Sequence, residues 1–259
     1  MGKNFRQASG PIVYVTLFRS LTIRAATNPD PIRIPTRVQE LLAYLALNPE
    51  REIRRSHLAE VLWGSRRQAQ SRKHLRQALW SLRSGIAKIA PGCEPVRCQG
   101  EWVRASLDRP IEIDIRAFER LTQADGTGRG DTLDANRIAE MSRAIELYTS
   151  DLLEDWDHDW CRGPREQLRR RVLTVLDRLL ERALASSDDP RLVQLAARAL
   201  EIDPARESAH RAMMTSYARA GDRSSAIRQY RICEQALRTE LGVGPESRTR
   251  ALLEELRET

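Results

Sequence analysis

The stretch SHLAEVLWGSRRQAQSRKHLRQALWSLRSGI, residues 56–86, decides the fold of this chain, because it reads as two short helices around a turn, the second with a basic outer face. In the second helix Leu75, Leu79, Leu82 and Ile86 recur at i, i+4, i+7 and i+11, one apolar stripe at the helical period. That stripe turns Lys73, Arg76, Gln77, Trp80 and Ser84 outward. A helix with an apolar inner face, cations and an amide in its N-terminal half, and Arg83 and Lys88 further on suits a DNA major groove, where arginine and glutamine read base edges. The competing reading is an ordinary amphipathic helix with a solvated charged face.

Working outward, Ser56 is expected to cap the first of the two helices, His57 to Trp63, and Gly64 to stop it. Upstream, residues 12–25, IVYVTLFRSLTIRA, alternate and are rich in β-branched and aromatic types, which predicts two short strands with a break at Arg19 and Ser20. PIRIP, residues 31–35, reads as a third strand. Thr36 then caps a helix whose apolar positions Val38, Leu41, Leu42, Leu45 and Leu47 define a buried face, ending before Asn48-Pro49. Downstream of Pro91-Gly92, PVRCQGEWVRAS places Gln99-Gly100-Glu101 between two extended runs, a hairpin. Strands, three helices and a terminal hairpin make an α+β winged helix-turn-helix over residues 11–110, preceded by a flexible terminus, 1–10.

After Arg109-Pro110 the texture changes to helical patterns separated by short turns, so residues 111–259 are expected to form an all-α, tetratricopeptide-like repeat domain. The expected helices are Arg116–Ala124, Leu133–Thr149, Pro164–Ser186, Arg191–Ile202, Arg206–Ala220, Arg223–Leu241 and Pro245–Arg257, with DGTGRG at 125–130 a flexible loop. Within AHRAMMTSYARAGDRSSAIRQYRICEQAL, residues 209–237, the order Tyr217, Gly221, Ala226, Tyr230 fits the tetratricopeptide pattern: small residues let paired helices approach and aromatics fill the remaining space. Ala226 is therefore expected between two helices.

The net charge of +7 is unevenly shared. Residues 1–110 hold 19 basic and 8 acidic side chains, and residues 111–259 hold 24 and 28. A polyanion partner for the first half is the simplest cause of such asymmetry. No apolar run is long enough to span a membrane, and MGKNFRQASG lacks the apolar core of a secretory signal, so a cytoplasmic, nucleoid-associated protein with no membrane partner is expected. Cys93, Cys98, Cys161 and Cys233 form no paired CxxC arrangement, and reduced thiols follow. DLLEDWDHDW, residues 151–160, crowds Asp151, Glu154, Asp155, Asp157, His158 and Asp159, but the glycine and distal glutamate of a calcium loop are missing. Trp156 and Trp160 read as core. His57, His74, His158 and His210 lack zinc-ligand spacing, and no GxSxG elbow is present. No enzyme, metal or cofactor is expected.

The order of these segments resembles the Streptomyces antibiotic regulatory protein (SARP) class of transcription factors, whose second half is the bacterial transcriptional activator domain. The resemblance covers residues 12–257 and is carried by LFRSLTIR, RVQELLAYLALNPEREIRRSHLAEVLWG, SRKHLRQALWSLRSGI, IEIDIRAFERL, LYTSDLLEDWDHDW, SYARAGDRSSAIRQY and LRTELGVGP. It implies promoter binding through the winged helix, recruitment of RNA polymerase, and a repeat domain that supports dimer or polymerase contacts. Trp80 departs from it, standing where such proteins commonly carry a small or polar residue. No GxxxxGK[ST] loop appears, so the chain looks like the short, two-domain form. The residues expected to meet double-stranded promoter DNA are Arg72, Lys73, Arg76, Gln77, Trp80, Arg83 and, in the wing, Arg104. Residues 1–110 are expected to hold DNA binding by themselves. The alternative is a tetratricopeptide-type adaptor whose basic domain binds nucleic acid nonspecifically.

Overall fold

The computed structural model describes residues 13–28, 30–64, 68–107, 110–123, 134–186 and 189–258; the expected flexible terminus and the 125–130 loop lie outside them. The architecture is mixed α+β and mostly helical. In chain order the elements are β1 (Val13–Thr16), β2 (Thr22–Ala25), α1 (Thr36–Leu47), β3 (Ile53–Arg54), α2 (Arg55–Trp63), α3 (Gln68–Ile89), β4 (Val96–Gln99), β5 (Trp102–Ala105) and β6 (Ile111–Ile113). They continue as α4 (Asp114–Thr122), α5 (Ala135–Leu147), α6 (Asp159–Ser186), α7 (Asp189–Ile202), α8 (Glu207–Arg219), α9 (Arg223–Leu241) and α10 (Ser247–Glu258). None of the described helices is long and apolar enough to cross a membrane.

Two compact units divide the chain, and they interleave in sequence. The first holds residues 1–120 and 147–165, the second 121–146 and 166–259. Packing thus divides the chain at other points than the change of texture at residue 110.

In the first unit β1 pairs antiparallel with β2, Val13 opposite Ala25, and parallel with β6, Val13 opposite Ile111. The parallel partner comes from beyond residue 110. Asp114, at the head of α4, accepts the backbone N–H groups of Leu17 at 2.8 Å and Phe18 at 2.9 Å, tying the end of β1 to the start of that helix. Burial pushes the Asp114 carboxyl up, and the N–H donors of Phe18, Leu17 and Ile115 pull it back. The segment 147–165 lies on the β1–β2 turn. Arg19 N–H donates to the Asp151 carbonyl at 2.8 Å, Leu153 N–H to Leu17 at 2.9 Å and Glu154 N–H to Arg19 at 2.8 Å. Both strands of that lacing turn at non-glycine residues with positive φ, Arg19 at 72° and Leu153 at 45°. The guanidinium of Arg165 holds the second turn, donating to the carbonyls of Leu152, Leu153 and Trp156. Phe18, Phe118 and Tyr148 close the core beneath, with Phe18 and Tyr148 ring centroids 4.9 Å apart.

Three local expectations are corrected. PIRIP is not a strand: Ile32 N–H reaches the Ile23 carbonyl at 2.8 Å, but Pro31 and Pro35 carry no N–H with which to extend a ladder. Thr36 does not cap α1, because it is already the first helical residue and Val38 N–H bonds the Pro35 carbonyl at 2.8 Å. Ser56 does not cap α2 either. Arg55 N–H is taken by the Glu101 carbonyl at 2.8 Å where β3 ends, and the helix starts at Arg55, two residues before the expected His57. Gly64 does end α2, at φ 77°.

The described elements of the second unit are all helices. α7 packs on α8, α8 on α9, and α10 on both α8 and α9. Asp222 caps α9 by accepting the Ser225 N–H at 2.9 Å, and Gly221 before it turns at φ 75°. Ala226 is fully buried against Met214, Tyr230, Leu253 and Leu256, with Tyr217 packed alongside, the arrangement its small side chain implies. Glu207 fixes α10 from outside: its carboxylate accepts the Glu246 N–H at 2.9 Å and the Thr249 hydroxyl at 2.5 Å.

His210 is buried between α8 and its neighbours, with Nε2 2.9 Å from the Pro204 carbonyl and Nδ1 2.7 Å from the Gln229 amide nitrogen. The neutral ring satisfies both, Nε2–H donating and Nδ1 accepting. Burial holds His210 below the usual histidine range, with the Pro204 carbonyl, Glu207 and Asp203 opposing. A lowered folded-state value means the stabilisation is complete above the unfolded value of about 6.5 and is lost as pH falls through the folded value. The melting temperature is therefore expected to fall as the pH drops below about 6.5, and to fall less in His210→Gln. Equal pH dependence of the two proteins would remove His210 as the cause.

Candidate nucleic-acid interface

α3 is 22 residues long, roughly 33 Å at 1.5 Å per residue, and its sequence contains no acidic side chain. Leu75, Leu79, Leu82 and Ile86 are buried as the stripe requires, together with Ala78. Arg72, Lys73, Arg76 and Gln77 are exposed on the opposite face, and Trp80 is 68% exposed. These five occupy positions i, i+1, i+4, i+5 and i+8, one side of the helix over about 12 Å. The beginning of α3 is anchored rather than frayed: Ser71 Oγ donates to the Gly64 carbonyl at 3.1 Å, joining it to the end of α2. Residues 65–67 between them lie outside the described residues.

The other two expected contacts have structural partners. Arg83 is exposed, yet Nη2 donates to the Val96 carbonyl at 3.0 Å and Nε to the same oxygen at 3.3 Å. It ties the first strand of the hairpin to α3. Arg104 on β5 is paired with the Glu50 carboxylate at 2.7 Å, a contact open to water and easily exchanged. The expected hairpin is present, with Gln99 opposite Trp102 and Gly100 at φ 53° in the turn.

Sequence reasoning missed β3. Its two residues pair with β5, Ile53 with Val103 and Arg54 with Trp102, making a three-stranded sheet in the order β3-β5-β4. Arg54 lies over the Trp102 indole, 5.1 Å from its centre, and Arg97 stands opposite Arg104 on the same exposed side. A two-residue strand has no readable periodicity, and no local pattern in the sequence marks it. A groove of about 370 Å³ adjoins the α3 face, walled by Val38, Trp63 and Ala78 with Arg37, His74 and Gln77 at its rim.

In the acidic segment Asp157 and Asp159 are exposed and paired with Arg162. Trp156 and Trp160 are half-buried rather than core, packed edge to face at 6.2 Å, with His158 stacked on Trp160 at 5.4 Å. Among the described residues no His, Cys, Asp and Glu cluster is arranged to hold a metal. Burial pushes the Cys161 thiol up to about 11 and the Cys233 thiol up to about 12, so both are protonated at neutral pH.

The model of the family named bacterial transcriptional activator domain matches residues 113–257, more than half of the chain. The chain belongs to this family. The bacterial transcriptional activator domain thus begins at the end of β6 and includes the 147–165 segment that packs in the first unit. Among solved structures, Mycobacterium tuberculosis EmbR in complex with a low affinity phosphopeptide has a similar fold, with a TM-score of 0.74 at 18% identity over 95% of this activator-domain chain. The chain spans 65% of the length of that structure's chain. No curated protein matches the sequence.

Proposed function

We propose that the protein is a sequence-specific DNA-binding regulator of the SARP class, an activator that binds promoter DNA and recruits RNA polymerase from the nucleoid-bound state in the cytoplasm. In this reading α1, α2, α3 and the β4–β5 hairpin form a winged helix-turn-helix over residues 11–110, completed by the segments that pack with it. The paired helices of residues 166–258 are tetratricopeptide-like and face other proteins, polymerase or a second copy. The observation that carries the reading is the exposed side of α3: three cations, an amide and an indole on a helix free of acidic residues. Membership of the activator-domain family supports it.

The experiment is selection of bound sites from random duplex DNA, followed by affinity measurement at fixed salt. A specific reader exceeds its own nonspecific affinity by on the order of a thousandfold or more. A ratio near one would instead support the nonspecific adaptor.

A further inference from the structure

Among the described residues the buried set contains one carboxylate, Glu40 on α1, 5% exposed. A buried charge is stable only when it is paired, and the identity of its partners fixes which elements must stay together. Glu40 has two. Arg37 Nη1, one turn earlier on α1, donates to its Oε2 at 2.7 Å, and His158 Nε2, on the 147–165 segment, is 3.7 Å from its Oε1. The same Arg37 nitrogen donates to the Leu62 carbonyl in the last turn of α2 at 3.1 Å. Two residues on, the Gly64 carbonyl accepts from Ser71 at the head of α3. Contacts therefore lead from His158 through Glu40 and Arg37 to the Leu62 carbonyl, and the main chain two residues on is tied to Ser71 in the first turn of α3, next to Arg72 and Lys73.

We propose that Glu40 is a positioning residue for α3, coupling the activator-domain segment around His158 to the helix that meets DNA. This rests on the DNA-binding reading above. Glu40 touches no nucleic acid: it holds Arg37, and Arg37 holds the end of α2 from which α3 departs. Other groups around the pair are accounted for. Tyr44, a turn further along α1, has its hydroxyl 3.5 Å from His57 Nε2 and its ring 5.3 Å from Trp160. Asp157 and Asp159, flanking His158, are both within ion-pair distance of Arg162.

Coupling through Glu40 has a signature that a purely structural role lacks, because the effects of His158 and Glu40 on DNA affinity are then not additive. The test measures duplex affinity of the full chain on its selected site and on random DNA at fixed pH and salt, for wild type, His158→Gln, Glu40→Gln and the double variant, with the melting temperature of each beside it. Both single variants are expected to lose about three- to tenfold on the selected site. The double variant is expected to match Glu40→Gln, whose binding does not respond to position 158. Melting temperatures separate a loss of fold from a loss of binding, since the His158 ring is stacked on Trp160. Additive effects of the two substitutions on selected-site affinity would overturn the coupling while leaving specific DNA binding intact, and absence of specific binding in wild type would overturn the reading beneath it.

Discussion

A chain ending at residue 110 is expected neither to unfold cooperatively nor to bind DNA. The cut removes Ile111 and Ile113, the parallel partner of β1, together with Ile115, Phe118, Tyr148, Leu152 and Leu153, each at most 3% exposed. Large apolar side chains contribute about 1.5–3 kcal/mol apiece on full burial, so the loss is on the order of 10–20 kcal/mol. A typical domain has only about 5–15 kcal/mol in total. The cut also strands the backbone N–H groups of Leu17 and Phe18, which lose the Asp114 carboxylate, and Leu17 and Arg19 lose main-chain partners on the 147–165 segment. Circular dichroism melting of residues 1–110 beside the full chain checks this. A sigmoidal melt with retained duplex affinity would show that the first unit closes without its returning segment.

The second large effect concerns the α3 face. Arg76 beside Gln77 is the candidate for bidentate reading of a guanine edge, so Arg76→Ala is expected to cost about 1–3 kcal/mol on the selected site and little on random DNA. Arg72→Ala and Lys73→Ala are expected to weaken both DNA types alike and to lower the log–log salt slope by about one unit each, as loss of a phosphate contact does. Arg83→Ala is expected to act through the hairpin, since its guanidinium holds the Val96 carbonyl, and so to lower thermal stability with a smaller change in salt slope. Equal losses on selected and random DNA for Arg76→Ala would remove it from base reading.

How much of this was legible follows from where the information sits in the chain. The stripe Leu75, Leu79, Leu82, Ile86 lies within one helix, and its period fixes both the buried side and, by exclusion, the exposed one. Ala226 and Tyr230 obey a spacing shared by one helix pair, so their packing was readable too. Caps were less so: Ser56 is a good capping residue, but a long-range bond from Arg55 to Glu101 starts the helix before it. β3, the Arg54–Trp102 stack and the Glu40–His158 pair were not readable at all. Each joins residues far apart in sequence, and nothing in the local pattern around Glu40 announces a partner 118 positions away.

Interleaving also sets an order of events during synthesis. Residue 165, the last of the first unit, is made 55 residues after residue 110. At about 5–20 residues per second, that is a wait of roughly 3–11 s during which α3 has been made but its unit cannot close. A product terminated between residues 110 and 150 carries the whole of α3 and none of the anchoring turn at Leu153, so it is expected to be cleared by proteases rather than to compete with the finished protein.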